Sequence, residues 1–161
     1  MRALGVDYGR RRIGLALSDA SGMLARPWKT IDGHAAARPA AQALAATVAE
    51  LVGLDEAVSV VVIGHPRRLS GEPNEQTALV QAVAAELEAL VSLPVVLQDE
   101  RLSSHEAESH LARRERDWRK RKAHLDAMAA AVILQDYLDT GAARDPAVPV
   151  EPVRSVEDDE R

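Results

Sequence analysis

The sequence predicts an α/β protein: a mixed sheet, with an antiparallel hairpin followed by parallel strands and with helices on both faces. Three observations carry that prediction. Two short apolar runs, residues 3–6 and 13–17, are separated by turn chemistry at Gly9-Arg10-Arg11, which reads as a β-hairpin. Residues 58–63 contain five Val or Ile in six positions, the pattern of a strand covered on both faces. Helix-period stretches lie before and after that run, so the order strand, helix, strand, helix, strand demands parallel crossovers.

Taken in order, residues 23–31 form a third strand, and Pro27 marks it as an edge or a bulge because it has no N–H to give to a ladder. Residues 34–53 are Ala-rich, with Leu44, Val48, Leu51 and Val52 at helical spacing; Pro39 is tolerated near the start and Gly53 stops the helix. Gly64-His65-Pro66 ends the strand over 58–63, and a polar loop with Gly71 and Pro73 follows to residue 74. A second helix over 75–91 presents Ala78, Val83, Leu87 and Leu90, and residues 94–97 make a short buried strand. Ser103-Ser104-His105-Glu106 is a capping box opening a third helix to about residue 115. The last helix, over 124–139, is almost wholly apolar from 127 to 134 and so belongs against the sheet, with Asp126 in its first turn. From residue 140 Gly, Pro and acids dominate, which gives one domain over 1–139 and a disordered acidic tail over 140–161.

Composition narrows the function. At 161 residues the chain suits a single domain and is too short for the two lobes that an actin-like ATPase closes around its nucleotide. There is no Phe, and the aromatics are Tyr8, Trp28, Trp118 and Tyr137, too few for a binder that stacks single-stranded bases. The absence of Cys excludes disulfides, thiolate metal sites and a cysteine nucleophile. Neither a leader pattern nor a run of membrane-spanning length is visible, so a cytoplasmic protein without a membrane partner is the expectation. The formal net charge is -5, yet residues 111–122 carry Arg113, Arg114, Arg116, Arg119, Lys120, Arg121 and Lys122 against Glu115 and Asp117, a local balance of +5. Such a patch is what a phosphate backbone meets, or it is simply a solvated helix face.

Asp7 closes the first apolar run, where an ionised carboxylate is costly unless a cation or hydrogen bonds offset its desolvation. Two functional readings compete: a ligand for a divalent ion acting on a phosphodiester, and a partner of a Gly-rich hairpin that holds nucleotide phosphates. A third reading is an Asp that caps its own turn. Glu100 and Asp126 pass the same test, since each abuts an apolar element that should be core. Three converging acids repel one another and together attract a hard cation, Mg²⁺ or Mn²⁺, in a chain without sulfur ligands other than Met. Taken singly, Glu100 reads as an ion pair with Arg67 or Arg101, and Asp126 as a charge favoured by a helix N-terminus. His65, His105 and His124 are ligands by residue type, but isolated histidines at loop or helix starts are more often solvated side chains, and that is the reading taken.

Four segments also carry a resemblance: GVDYGRRRIGLALSD, VVIGHPRRLSGEPNEQT, VVLQDERLSSHEAE and HLDAMAAAVILQDYLD. In order and spacing they resemble the blocks of the YqgF family of pre-16S rRNA nucleases and Holliday junction resolvases. The resemblance spans residues 4–139 and departs at His65, where the family usually has an apolar residue, and at Arg67-Arg68. It implies a ribonuclease-H-like fold, with catalytic and metal-holding acids at Asp7, Glu100 and Asp126 and Mg²⁺ or Mn²⁺ as cofactor. The implied activity is metal-assisted phosphodiester hydrolysis, processing the 5′ end of precursor 16S rRNA in ribosome biogenesis. Structured RNA is the favoured partner. Branched DNA is the alternative, and cutting it symmetrically requires a homodimer rather than a monomer. A nucleotide-binding ATPase or regulator built on Asp7 and the hairpin is the alternative of another class. Arg10, Arg11, Arg12, Arg67, Arg101, Arg114, Arg119 and Lys122 are the candidate contacts to nucleic-acid phosphates.

Overall fold

The computed structural model describes residues 2–66, 75–100 and 118–141, with positions 66, 100 and 118–121 placed by their backbone. The elements in chain order are β1 (Arg2–Asp7), β2 (Arg12–Ser18), β3 (Ala25–Asp32), α1 (Ala37–Gly53), β4 (Val58–Pro66), α2 (Glu75–Leu90), β5 (Val95–Glu100) and α3 (Trp118–Asp139). One five-stranded sheet has the order β3-β2-β1-β4-β5. The β1–β2 and β2–β3 pairs are antiparallel, and β1–β4 and β4–β5 are parallel. This is the mixed sheet that the hairpin and the crossovers require.

Alternation along the strands sorts the sheet into two faces. Leu4, Val6, Ile13, Leu15, Val61 and Ile63 pack with Leu44, Val48 and Leu51 of α1 and Val80, Val83 and Leu87 of α2. Ala3, Ala16, Val60, Val62 and Val96 point the other way, into a second core with Ala130, Ile133, Leu134, Tyr137 and Leu138 of α3. Ala3, Gly5, Gly14 and Ala16, which face α3 from β1 and β2, are small for a steric reason. A Cβ on Gly5 would lie 2.7 Å from the Leu134 Cβ, and one on Gly14 would lie 2.0 Å from the backbone oxygen of Asp126. Helix α3 therefore rests almost directly on the strand backbones.

Several boundaries differ from those the sequence predicts. β4 continues through Gly64-His65-Pro66, and β5 continues to Glu100, because Gly64↔Gln98, His65↔Asp99 and Pro66↔Glu100 are in register. Parallel pairing overrides the local turn signal. As a result His65 is buried, at 4 % exposure, rather than solvated. Its Nε2 lies 3.3 Å from Gln81 Nε2 and its Nδ1 3.7 Å from Asp99 Oδ1, on the α1/α2 face. Helix α3 begins at Trp118, six residues before the predicted start, which moves Asp126 out of the first turn. Pro27 behaves as expected: the β2–β3 register slips between Leu15↔Lys29 and Ala16↔Pro27, a bulge on the edge strand. Helix α1 ends at Gly53, but the left-handed residue that closes it is Asp55, with φ 59°. Asp55 N–H donates to Val52 O at 3.2 Å and Glu56 N–H to Leu51 O at 2.9 Å, the paired bonds of a Schellman motif. The predicted helix over 103–115 and the tail from 142 onward lie outside the described residues.

Candidate active site

β1, β4 and β5 run parallel, so their carboxyl ends share one edge of the sheet, where open α/β sheets gather functional groups. Asp7 closes β1 and Glu100 closes β5. Val6 is in register with Ile63, which puts Asp7 level with Gly64 of β4. By the two-residue strand period, positions 7, 64 and 100 all fall on the α3 face, the face of Ala3, Val62 and Val96. In the ladder Gly64 is level with Asp7 and with Gln98, and position 100 is level with Pro66, two residues further along β4.

Asp126 reaches this edge from the helix. Asp7 is directly opposite Gly14 in the β1–β2 ladder, and the space a Gly14 side chain would fill holds the backbone of Asp126. Cross-strand partners lie on the same face about 5 Å apart, so the glycine brings the α3 acid beside the β1 acid. Asp126 is the ninth residue of α3, counted from Trp118. A helix macrodipole acts within the first turn, so it does not account for a carboxylate there. The side chain is 28 % exposed and accepts a hydrogen bond from Arg12 Nε at 2.7 Å. A cation thus already sits on Asp126, and it comes from β2, two residues from Gly14.

The turn that carries the arginines is held from three sides. Gly33 N–H donates to Arg11 O at 2.9 Å. Tyr8 is buried, its hydroxyl donates to His34 O, and Gln76 Nε2 donates to Tyr8 O at 3.3 Å. Burial pushes the Tyr8 phenol above its ordinary value, and the nearby positive charge of Arg10 pulls partly against that. Arg10 and Arg11 are exposed at the tip, next to the edge where Asp7 lies.

The remaining basic candidates divide. Lys122 is exposed on α3, one turn before Asp126, and position 119 lies a further turn toward the helix start on the same side. Arg67, Arg101 and Arg114 lie outside the described residues. Among the residues whose side chains are described, no three His, Cys, Asp or Glu gather into a metal-holding group, and Glu100 is not one of those residues. Asp7 and Asp126 offer the oxygen donors that hard divalent cations prefer. The Arg12–Asp126 contact is not legible in the sequence, because 114 residues separate its partners.

Comparison with known proteins agrees with this architecture. A family model described as "RuvX: Holliday junction resolvase" matches residues 1–140. A relative from Chloroflexus aurantiacus, named "Putative pre-16S rRNA nuclease", is 43% identical over 136 residues, covering 84% of this chain and 85% of its own. One of the same name from Anaeromyxobacter dehalogenans is 45% identical over 142 residues, covering 88% and 99%. Among solved structures, RuvC of Thermus thermophilus in complex with a Holliday junction substrate superposes with TM-score 0.54 at 16% identity, over 88% of this chain and 96% of that one. That likeness speaks to the fold, a ribonuclease-H-like sheet. With a family match across the sheet, the hairpin and α3, the chain belongs to the RuvX (YqgF) family.

Proposed function

We propose that this chain is a divalent-metal-dependent nuclease that acts on the precursor of 16S rRNA, with Asp7, Glu100 and Asp126 as the acids that hold the ion. Membership of a nuclease family makes it a hydrolase of phosphodiester bonds. The observation that carries the site is the seating of Asp126 on Gly14, opposite Asp7, at the edge where β5 ends in Glu100. The ion that such oxygen donors suit is Mg²⁺ or Mn²⁺; bound there, it would supply activation of water and neutralisation of charge on the scissile phosphate. The chain's own residues do the rest. Asp7 and Asp126 fix two oxygen donors on rigid elements, and α3 closes one face of the sheet against solvent. Arg10 and Arg11 offer charge to flanking phosphates, with Lys122 and position 119 continuing the track along α3. Arg67, Arg101 and Arg114 are assigned to the same track from the sequence. The proposed place of action is the cytoplasm; no helix among the described residues is long and apolar enough to cross a membrane.

The test incubates the protein, with Mn²⁺ or with EDTA, with labelled precursor rRNA and with four-way DNA junctions. Metal-dependent cleavage of the RNA, abolished in Asp7→Asn, Glu100→Gln and Asp126→Asn, is the expected result. Symmetric cutting of the junction by a dimer, with the RNA left intact, would give the site to branched DNA, the substrate the family description names. Hydrolysis of ATP without cleavage of either substrate would overturn the nuclease assignment.

A further inference from the structure

Arg12 stands where the nuclease reading needs the metal, and its geometry gives it a second station. Its guanidinium touches Asp126 through Nε at 2.7 Å and, among the described residues, through Nε alone. An arginine locked into a structural pair with a carboxylate commonly uses two parallel bonds. Here the single contact from the side of the guanidinium leaves both terminal nitrogens, among the described residues, for another planar or tetrahedral anion. The pair is also half open, with Arg12 39 % and Asp126 28 % exposed, so parting it leaves no charge stranded in a dry core. Positions 12 and 14 share a face of β2, and Asp7 is opposite 14, so Arg12 lies diagonally across from Asp7. Swung off Asp126, the side chain remains over the edge of the sheet where the two acids are.

We propose that Arg12 is an exchangeable internal cation. It neutralises Asp126 while the ion is absent, is displaced when a divalent ion takes the carboxylate, and then turns its fork onto a phosphate oxygen of the nucleic acid. This rests on the assignment of Asp126 as a metal-holding acid. It goes further in making ion binding and phosphate capture one event: the arginine becomes available to substrate only once the ion is in place. Arg12 is thus a positioning residue whose contact with substrate is conditional, unlike that of Arg10 and Arg11, which sit exposed on the turn.

The experiment follows the Arg12 Nε–H signal of ¹⁵N-labelled full-length protein by NMR during a Mg²⁺ titration, with calorimetry of Mn²⁺ binding to the parent, Arg12→Gln and Arg10→Gln. Arg10→Gln removes the same charge from the same turn without touching the pair. In the parent without metal, the Arg12 signal should be protected from exchange; it should lose that protection at the midpoint at which Mg²⁺ perturbs Asp7 and Asp126. Asp126→Asn should abolish the protection without metal. Arg12→Gln should bind Mn²⁺ more tightly than Arg10→Gln by about two- to five-fold, the range of half-exposed pairs. It should weaken RNA binding in Mg²⁺ more than in EDTA. An Arg12 signal still protected when Mg²⁺ has saturated the acids overturns the exchange and leaves the metal site standing. Absence of any heat or perturbation at Asp7 and Asp126 overturns the metal reading, and the exchange with it.

Discussion

The substitution Gly14→Ala tests how the site is built, because it changes no acid and no charge. An added Cβ would lie 2.0 Å from the carbonyl oxygen of Asp126, 2.3 Å from its carbonyl carbon and 2.9 Å from the nitrogen of Ala127. Ordinary contact begins near 3.4 Å, so something must move by about 1.4 Å along that line. The obstacles are helix backbone, which cannot rotate away as a side chain can, so α3 must lift off β2 around Asp126. Overpacking of this kind typically costs about 1 to 3 kcal/mol. For a domain of this size that is roughly 2 to 12 °C in Tm. The effect on chemistry should be larger in proportion, since a misplacement of about 1 Å costs on the order of a hundredfold in rate. Thermal unfolding by circular dichroism and metal-dependent cleavage of precursor rRNA, measured on the same preparation, give both numbers. Gly53→Ala is the control: nothing lies within 4 Å of a Cβ there, so it should leave activity intact and Tm equal or slightly raised. A Gly14→Ala protein with parental Tm and parental cleavage would refute the seating of Asp126 on Gly14.

Three further outcomes are expected. Asp55→Gly should raise stability by up to about 1 kcal/mol, seen as a shift of the urea midpoint at constant slope, because a residue with φ 59° closes α1 and glycine adopts that region without the Cβ penalty. Burial raises the Tyr8 phenol above its ordinary 10.0, so the stability it contributes is fully present below pH 10 and is lost as pH rises through the elevated value. Tyr8→Phe should flatten the fall in Tm above pH 10 while costing about 1 kcal/mol at neutral pH for the missing bond to His34; an unchanged alkaline profile counts against this. Neutralising Arg119 and Lys122 together should weaken RNA binding and lower the slope of log affinity against log salt by about 0.7 to 0.9 for each phosphate that the protein ceases to neutralise. A double variant whose salt dependence matches the parent would make the start of α3 a solvated face.

By itself the sequence determined what depends on near neighbours. The hairpin, the buried run of β4, the two helices that flank it and the aliphatic core follow from period, turn residues and composition, and the sheet has the mixed topology these imply. It also singled out Asp7 and Asp126, because a carboxylate abutting an apolar run stands out in one dimension. Only the tertiary structure decided where the elements stop and what the small residues are for. Gly64-His65-Pro66 reads as a terminator, but hydrogen bonds to β5 draw it into the sheet and bury His65. The start of α3 at Trp118 places the end of the basic run, residues 119–122, on the helix that carries Asp126. Gly14 looks like one more hairpin residue until α3, more than a hundred positions away, rests on it. The Arg12–Asp126 pair likewise exists because β2 and α3 meet. In each case the deciding contact joins residues far apart in the chain, and a local pattern has no access to the energy of a partner that only folding brings near.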